Sequence, residues 1–178
     1  MITIISSSNR KGNVTKLVAA AYKDKLQKKY DGEIKTVYLE NMPSQVMNPD
    51  MYVQLDDWIK DVRDNILAPS SSFVFVIPEY NGTFPGVLKI FMDAVSSDLE
   101  NNVFLDKKAA LIGLSAGKFG NRVGLEHFST VLNYLKTSVY YQKVAIPNIM
   151  NYIDGTLEFE GTDIGKYLDR QIEGFLKF

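Results

Sequence analysis

The chain of 178 residues contains no cysteine. This absence excludes a disulfide framework, a thiolate zinc site and a cysteine nucleophile. His127 is the single histidine, and no His/Asp/Glu cluster has the spacing of metal ligands. We therefore expect no metal ion. A lone histidine on a helical pattern is more typical of a structural or solvated residue than of a proton donor.

The sequence also lacks an excess of charge of either sign. Lys and Arg together number 20, Asp and Glu together number 21, and the net charge is −1. A general nucleic-acid binder has a basic excess on one face, and this chain has none. No polybasic run suits an anionic membrane surface. We expect neither nucleic acid nor membrane as a partner.

Long hydrophobic runs are missing as well. No segment approaches the ~20 consecutive apolar residues that cross a bilayer. The first eight residues lack the basic region and the long apolar stretch of a secretion signal. These features favour a cytoplasmic enzyme or binding protein.

Short β-rich runs alternate with longer amphipathic patterns along the chain. The predicted strands cover residues 2–5, 34–39, 73–77, 109–114 and 139–146. The predicted helices begin at Val14 and then cover about 51–67, 87–95, 123–136 and 163–177. The run 73–77 is apolar throughout, as expected of a strand covered on both faces.

This alternation predicts a parallel sheet with helices on both faces. Right-handed crossovers leave few topologies. At this length we expect one α/β domain over residues 1–178, a flavodoxin-like three-layer sandwich whose five parallel strands have the order 2-1-3-4-5. Ligands of such sheets bind outside the carboxyl ends of the strands, near the reversal in strand order. Three loops lie there, after strands one, three and four.

Loop one, residues 6–13, joins a strand to a helix. The free N–H groups and partial positive charge of a helix N-terminus suit a phosphate. Ser8, Asn13 and Thr15 add short polar groups, and Arg10 can bind an oxyanion with two hydrogen bonds. An ordinary capped turn with solvated charges explains the same residues equally well. The loop has neither a GxGxxG fingerprint nor a Walker sequence.

Loops two and three carry aromatic and glycine residues. Loop two, residues 78–86, leaves a buried strand, and Tyr80 there is suited to lie against a flat aromatic ligand. Loop three, residues 115–122, contains Gly117 and Gly120, which allow the backbone to approach a ligand closely. Arg122 is suited equally to a pyrophosphate and to solvent.

The combined pattern resembles the NADPH-dependent FMN reductase family. The similar segments are Ser7-Ser8-Asn9-Arg10 with Asn13 and Thr15, then Pro78-Glu79-Tyr80-Asn81-Gly82, then Pro85-Gly86-Val87-Leu88-Lys89. They span roughly residues 1–146, and the second and third are the most specific. This chain differs in having Ser7 in place of glycine, Asn13 in place of serine, Ile90 in place of asparagine, and Asn121-Arg122 in place of a glycine pair.

The resemblance implies a set of FMN-binding residues. It implies that Ser8, Arg10, Asn13 and Thr15, with Val14, surround the FMN phosphate. It implies that Pro78, Glu79, Tyr80, Asn81 and Gly82 line the isoalloxazine, and that Ser115, Gly117 and Gly120 lie close to the ring. Residues 48–50 resemble a family loop near a dimer interface, which implies a homodimer or a homotetramer.

The function implied is an FMN-dependent NAD(P)H oxidoreductase. NADPH or NADH passes a hydride to flavin N5, and a quinone, azo, nitro, metal-oxyanion or flavin acceptor then takes the electrons. The flavin carries this chemistry, so we assign no catalytic side chain. An FMN-binding electron carrier without nicotinamide activity is the alternative, although such carriers are usually strongly acidic. A flavodoxin-like binding module without flavin is a third possibility.

Overall fold

A computed structural model describes residues 1–96, 102–154 and 156–178. Its strands are β1 (Ile2–Ser6), β2 (Ile34–Tyr38), β3 (Ser72–Pro78), β4 (Lys108–Leu114), β5 (Ser138–Val139), β6 (Val144–Ile146), β7 (Ile153–Asp154) and β8 (Thr156–Leu157). Its α-helices are α1 (Val14–Gln27), α2 (Asp57–Val62), α3 (Gly86–Val95), α4 (Arg122–Tyr134) and α5 (Asp163–Lys177). No helix in these ranges is both long and apolar enough to cross a membrane.

The main sheet is parallel and has the order β2-β1-β3-β4-β5, with β6 also paired to β4. The predicted flavodoxin-like strand order is therefore confirmed. The short pair β7 and β8 forms a separate antiparallel hairpin that the sequence reasoning did not predict.

Two apolar layers cover the sheet, one on each face. The side chains of β3 alternate between them: Phe73, Phe75 and Ile77 face α2, α3 and α4, whereas Val74 and Val76 face α1 and α5. Aromatic rings fill the first layer, where Phe75 lies 4.8 Å from Phe128 of α4, centroid to centroid. Burial on both faces explains why β3 is apolar at almost every position.

The second helix begins later than predicted. It starts at Asp57 rather than Met51, because the Asp56 carboxylate caps it by accepting a hydrogen bond from the Trp58 amide at 2.9 Å. A π-helical segment, Arg63–Leu67, continues it. Residues 47–54 instead form turns and bends before this cap.

The predicted fifth strand, 139–146, is broken into β5 and β6. Gln171 of α5 explains the interruption, since its buried side-chain amide donates to the Leu111 carbonyl at 3.0 Å and to the Gln142 carbonyl at 2.7 Å. The Gln171 side chain thus supplies a donor to the Leu111 carbonyl of β4, at the point where the edge strand bulges away from β4. The bulge also turns Tyr140 into the layer beneath α5.

Candidate functional site

The loops after β1, β3 and β4 enclose a crevice of about 330 Å³ at the carboxyl edge of the sheet. This volume lies toward the lower end of the ~300–1,000 Å³ typical of ligand sites. The crevice is lined by Arg10, Lys11, Gly12, Asn13, Val14, Thr15, Pro78, Glu79, Tyr80, Leu114, Ser115, Ala116, Ile149 and Met150. The fold therefore brings parts of all three predicted loops together.

Asn13 organises loop one through its side-chain amide. Its Oδ1 accepts from the Lys16 backbone N–H at 3.0 Å and so caps α1. Its Nδ2 donates to the Arg10 carbonyl at 2.6 Å and to Glu40 Oε2 at 2.9 Å. An amide nitrogen has two N–H donors, and both are used here. Asn13 consequently shapes the loop but keeps no donor for an anion.

The donors that remain belong to the first turn of α1. The backbone N–H groups of Val14 and Thr15 have no intrahelical acceptor, and no other part of the described chain supplies one. The Thr15 side chain is buried at the same end of the helix. Free amides and the partial positive charge of a helix N-terminus form an arrangement suited to a phosphate group.

Glu40 places a negative charge beside these donors. It follows β2 in a 3₁₀ turn, and Lys16 Nζ lies 3.1 Å from its Oε1. The ion pair offsets much of that charge near loop one. Sequence reasoning did not identify Glu40, because its contact with Asn13 depends on the parallel pairing of β1 with β2.

Loop two makes a tight reverse turn. The Tyr80 amide donates to the Thr83 carbonyl at 2.9 Å, and the Thr83 amide donates back at 3.2 Å. The central residues Asn81 and Gly82 have φ of 51° and 84°, as a type I′ turn requires. Both central residues are exposed and lie outside the lining of the crevice.

Tyr80 reaches from loop two back to loop one. Its hydroxyl lies 2.6 Å from the Ser8 hydroxyl, and the Arg10 guanidinium lies 4.5 Å above its ring centroid. The second contact has cation–π geometry. Ser8, Arg10 and Tyr80 thus form one cluster, although Ser8 and Tyr80 are 72 positions apart. Tyr80 therefore contacts loop one directly.

The polar groups of loop three mainly hold the loop itself. The Ser115 hydroxyl donates to the Gly117 carbonyl at 2.9 Å and accepts from the Gly120 amide at 3.0 Å. Gly120 has φ of 57°, and a Cβ there would lie 2.6 Å from the Ile146 nitrogen. Gly120 therefore packs against β6. Neither Gly117 nor Gly120 lines the crevice.

Asn121 is a structural residue that the sequence reasoning left without a role. It is buried with a left-handed φ of 63°, a conformation that asparagine tolerates. Its Nδ2 donates to the carbonyls of Ile77 and Pro78, each at 3.1 Å. Asn121 thereby joins loop three to the end of β3, where loop two begins. The family's glycine pair, replaced here by Asn121-Arg122, cannot make this side-chain bridge.

Arg122 and His127 of α4 lie outside the crevice lining. His127 Nδ1 is 2.9 Å from the Thr83 hydroxyl, so the histidine supports the turn of loop two. Arg122 is exposed and lines a different cleft.

Some lining residues were missed by the sequence reasoning. Lys11, Gly12, Leu114 and Ala116 are chain neighbours of predicted residues. Ile149 and Met150 follow β6, and backbone hydrogen bonds from Ile149 to Ser115 and from Asn148 to Gly117, at 3.0 and 2.8 Å, hold this segment beside loop three. No pattern in the sequence indicates that Ile149 and Met150 belong to the lining of the crevice.

The strand order and the crevice at its reversal define a flavodoxin-like α/β protein. The chain belongs to the NADPH-dependent FMN reductase family, whose model matches residues 1–151. The family resemblance predicted from the loop segments is thus confirmed.

Known proteins similar to this chain include two curated relatives and many solved structures. A 2-hydroxy-1,4-benzoquinone reductase from a Burkholderia species is 32% identical over 103 residues, which are 57% of this chain and 56% of that protein. An NAD(P)H-dependent FMN reductase from Pseudomonas aeruginosa is 36% identical over 77 residues, 43% of this chain and 40% of that protein. The chain thus matches about half the length of these relatives.

One of the similar solved structures is FerB, a flavoenzyme NAD(P)H:(acceptor) oxidoreductase from Paracoccus denitrificans. Its TM-score is 0.78 at 20% identity, over 99% of this chain and 94% of that chain. At this identity the similarity shows a shared fold.

Proposed function

We propose that this chain is an FMN-dependent NAD(P)H oxidoreductase, that residues 1–178 act as one domain, and that FMN binds in the crevice. The observation that carries the proposal is the pair of unpartnered amides, Val14 and Thr15, at the N-terminus of α1, in the crevice that Arg10 also lines. Membership of the FMN reductase family supports the same cofactor.

The residues present fit a phosphate-bearing flavin. The amides of Val14 and Thr15 and the Thr15 hydroxyl bind the phosphate, and Arg10 adds a charged donor. Ser8 is buried and its hydroxyl bonds to the Tyr80 hydroxyl and the Arg10 amide, so Ser8 and Asn13 act by holding loop one in shape. When bound, FMN supplies the redox chemistry by accepting a hydride at N5 from the nicotinamide and returning the electrons to an acceptor.

The other two loops complete the proposed site at the ring end. Residues 78–80 and Ser115 line the crevice there. Asn81 and Gly82 act through the turn that aims Tyr80, and Gly117 and Gly120 act through the shape of loop three. Contact with the cofactor is thus assigned to the lining residues other than Asn13. Positioning is assigned to Asn13 and to the residues outside the lining, which are Ser8, Asn81, Gly82, Gly117 and Gly120.

The proposed electron acceptor is a small molecule, and a quinone is the first choice. The Burkholderia relative is named as a benzoquinone reductase, which supports this choice over azo, nitro, metal-oxyanion or flavin acceptors. NADPH or NADH serves as reductant. We propose a cytoplasmic location, where both nicotinamides are available.

We also propose that the chain is a homodimer or homotetramer. Between α3 and α4 lies a groove of about 460 Å³ that includes Tyr52 and Tyr134, which are 59% and 80% exposed. Exposed aromatic residues around a groove are typical of an interface. Light scattering should show an oligomer that Tyr134→Arg dissociates, whereas Tyr141→Arg, at an equally exposed tyrosine, should not. A wild-type monomer would contradict the assembly.

An absorbance titration tests the reductase. Protein mixed with FMN should show a perturbed flavin spectrum, and anaerobic NADPH or NADH should bleach it within a catalytic turnover time. A flavin spectrum that neither nicotinamide bleaches would indicate the electron carrier instead. A protein with no spectral or thermal response to excess FMN would overturn the flavin site itself.

A further inference from the structure

A second, larger cleft lies at the open edge of the sheet. It has a volume of about 770 Å³ and lies between α4 and α5, with β6 between them. We call it the edge cleft; its lining residues are Arg122, Val123, Leu125, Glu126, Tyr141, Gln142, Lys143, Val144, Ala145, Tyr167 and Arg170. None of these residues lines the crevice.

The edge cleft is cationic. Arg122 and Arg170 are exposed, and within the described ranges neither has an ion-pair partner. Glu126 is the one acid of the lining, and Lys143 Nζ pairs with its Oε2 at 2.6 Å. The lining therefore has a net charge of +2, in a chain whose net charge is −1. Two arginines remain available for an anion.

Two tyrosine rings lie among these cations. Tyr141 is 81% exposed and Tyr167 is 49% exposed. Tyr141 is supported from below by the buried Tyr140, whose ring centroid lies 4.8 Å away. Tyr140 fits under α5 because residue 174 is glycine; a Cβ there would meet the Tyr140 hydroxyl at 1.9 Å. The fold thus supports an exposed aromatic surface beside the arginines.

We propose that the edge cleft binds a phosphorylated aromatic molecule of nucleotide size. A guanidinium can bind a phosphate through two parallel hydrogen bonds, and Arg122 and Arg170 supply two such groups. Tyr141 and Tyr167 offer flat faces for a base. The cleft volume lies within the ~300–1,000 Å³ range of small-molecule sites.

Loop three connects the edge cleft to the crevice. Ser115 at its start lines the crevice, and Arg122 just after its end lines the edge cleft. The ligand has two candidate sources, and the connection bears on the second. One is a free nucleotide. The other is the phosphorylated adenosine end of NADPH, and this second source depends on the proposed reductase function.

Calorimetry with 2′,5′-ADP on FMN-saturated protein tests the site without any redox readout. We expect binding by the wild type, weaker by tenfold or more in Arg122→Ala and in Arg170→Ala, and much weaker for adenosine, which lacks phosphate. Lys166→Ala is the control, since Lys166 lies on α5, pairs with Asp163 and does not line the cleft. Absence of wild-type binding, or undiminished binding in a variant that carries both Arg122→Ala and Arg170→Ala, would overturn the proposal even if the protein proves to be an active reductase.

Steady-state kinetics then identify the source. If the ligand is NADPH, the Arg122→Ala/Arg170→Ala variant should lose tenfold or more in kcat/KM for NADPH and keep its value for NADH. If the variant loses 2′,5′-ADP binding but keeps kcat/KM for both nicotinamides, the site is assigned to a free nucleotide. Either result supports the edge cleft as a nucleotide site.

Discussion

The crevice is smaller than the edge cleft, but its polar side chains are more firmly held by hydrogen bonds within the protein. The edge cleft is about 770 Å³ and the crevice about 330 Å³. The crevice nevertheless lies at the reversal in strand order, where α/β sheets bind ligands. A choice by volume alone would have placed the main ligand site in the edge cleft.

The polar groups of the crevice are held in place before any ligand arrives. Asn13 uses both ends of its amide within loop one, and Ser115 uses its hydroxyl within loop three. The arginines of the edge cleft are exposed and unpaired among the described residues. Preorganised groups lose less entropy on binding, so the fixed backbone amides of Val14 and Thr15 favour binding in the crevice despite its smaller volume.

The largest expected effect comes from breaking the hydrogen bonds by which Asn121 joins loop three to the end of β3. Asn121→Ala removes two donated hydrogen bonds and leaves alanine in a left-handed conformation. We expect the free energy of unfolding to fall by about 2–4 kcal/mol, measured by urea denaturation. Asn133→Ala, at an exposed position of the same helix, should change it by less than about 0.5 kcal/mol. Equal effects of the two variants would contradict the role of Asn121.

A crossed pair of arginine variants separates the two cavities. Arg10→Ala should weaken FMN binding about 10- to 100-fold, since a charge-assisted hydrogen bond contributes about 1.5–3 kcal/mol, and should leave 2′,5′-ADP binding unchanged. Arg170→Ala should have the reverse pattern. Fluorescence titration with FMN and with riboflavin, which has no phosphate, measures the first effect. An Arg10→Ala variant that loses riboflavin and FMN equally would remove Arg10 from the phosphate site.

A smaller effect is expected where loop two meets loop one. Tyr80→Phe removes the hydroxyl that lies 2.6 Å from the Ser8 hydroxyl. The FMN-free protein should lose about 1 kcal/mol of unfolding free energy, the usual contribution of one hydrogen bond. Tyr167→Phe, at an exposed tyrosine of α5, serves as the control and should be neutral. A neutral Tyr80→Phe would show that the two loops are ordered independently.

The smallest effect concerns the charge beside the crevice. Glu40→Gln keeps an acceptor for Asn13 but removes a negative charge near the proposed phosphate. We expect FMN to bind about twofold more tightly, since a solvent-screened charge interaction contributes about 0.5 kcal/mol, and the gain should shrink as salt increases. Glu40→Ala, which also removes the acceptor, should weaken FMN binding instead. Identical results from both variants would contradict the positioning role of Glu40.

The sequence was a good guide to elements whose pattern is local. Residues 73–77 and 109–114 were predicted as strands and lie within β3 and β4. Residues 139–146 were predicted as one strand but are broken, because Gln171 of α5 bonds to the Leu111 carbonyl. Helix α2 begins at Asp57 because Asp56 caps it, a signal present in the sequence that the apolar spacing from Met51 obscured.

The sequence by itself determined the alternation of strands and helices, the parallel sheet and the three loops. These features follow from side-chain periodicity and turn chemistry, which act over a few residues. Tertiary structure alone decided that Tyr80 contacts Ser8 and Arg10, that Glu40 holds Asn13, and that Arg122 and Arg170 share a cleft. These residues are far apart in the chain, and they meet because strand pairing brings together loops and helices whose local patterns contain no information about one another.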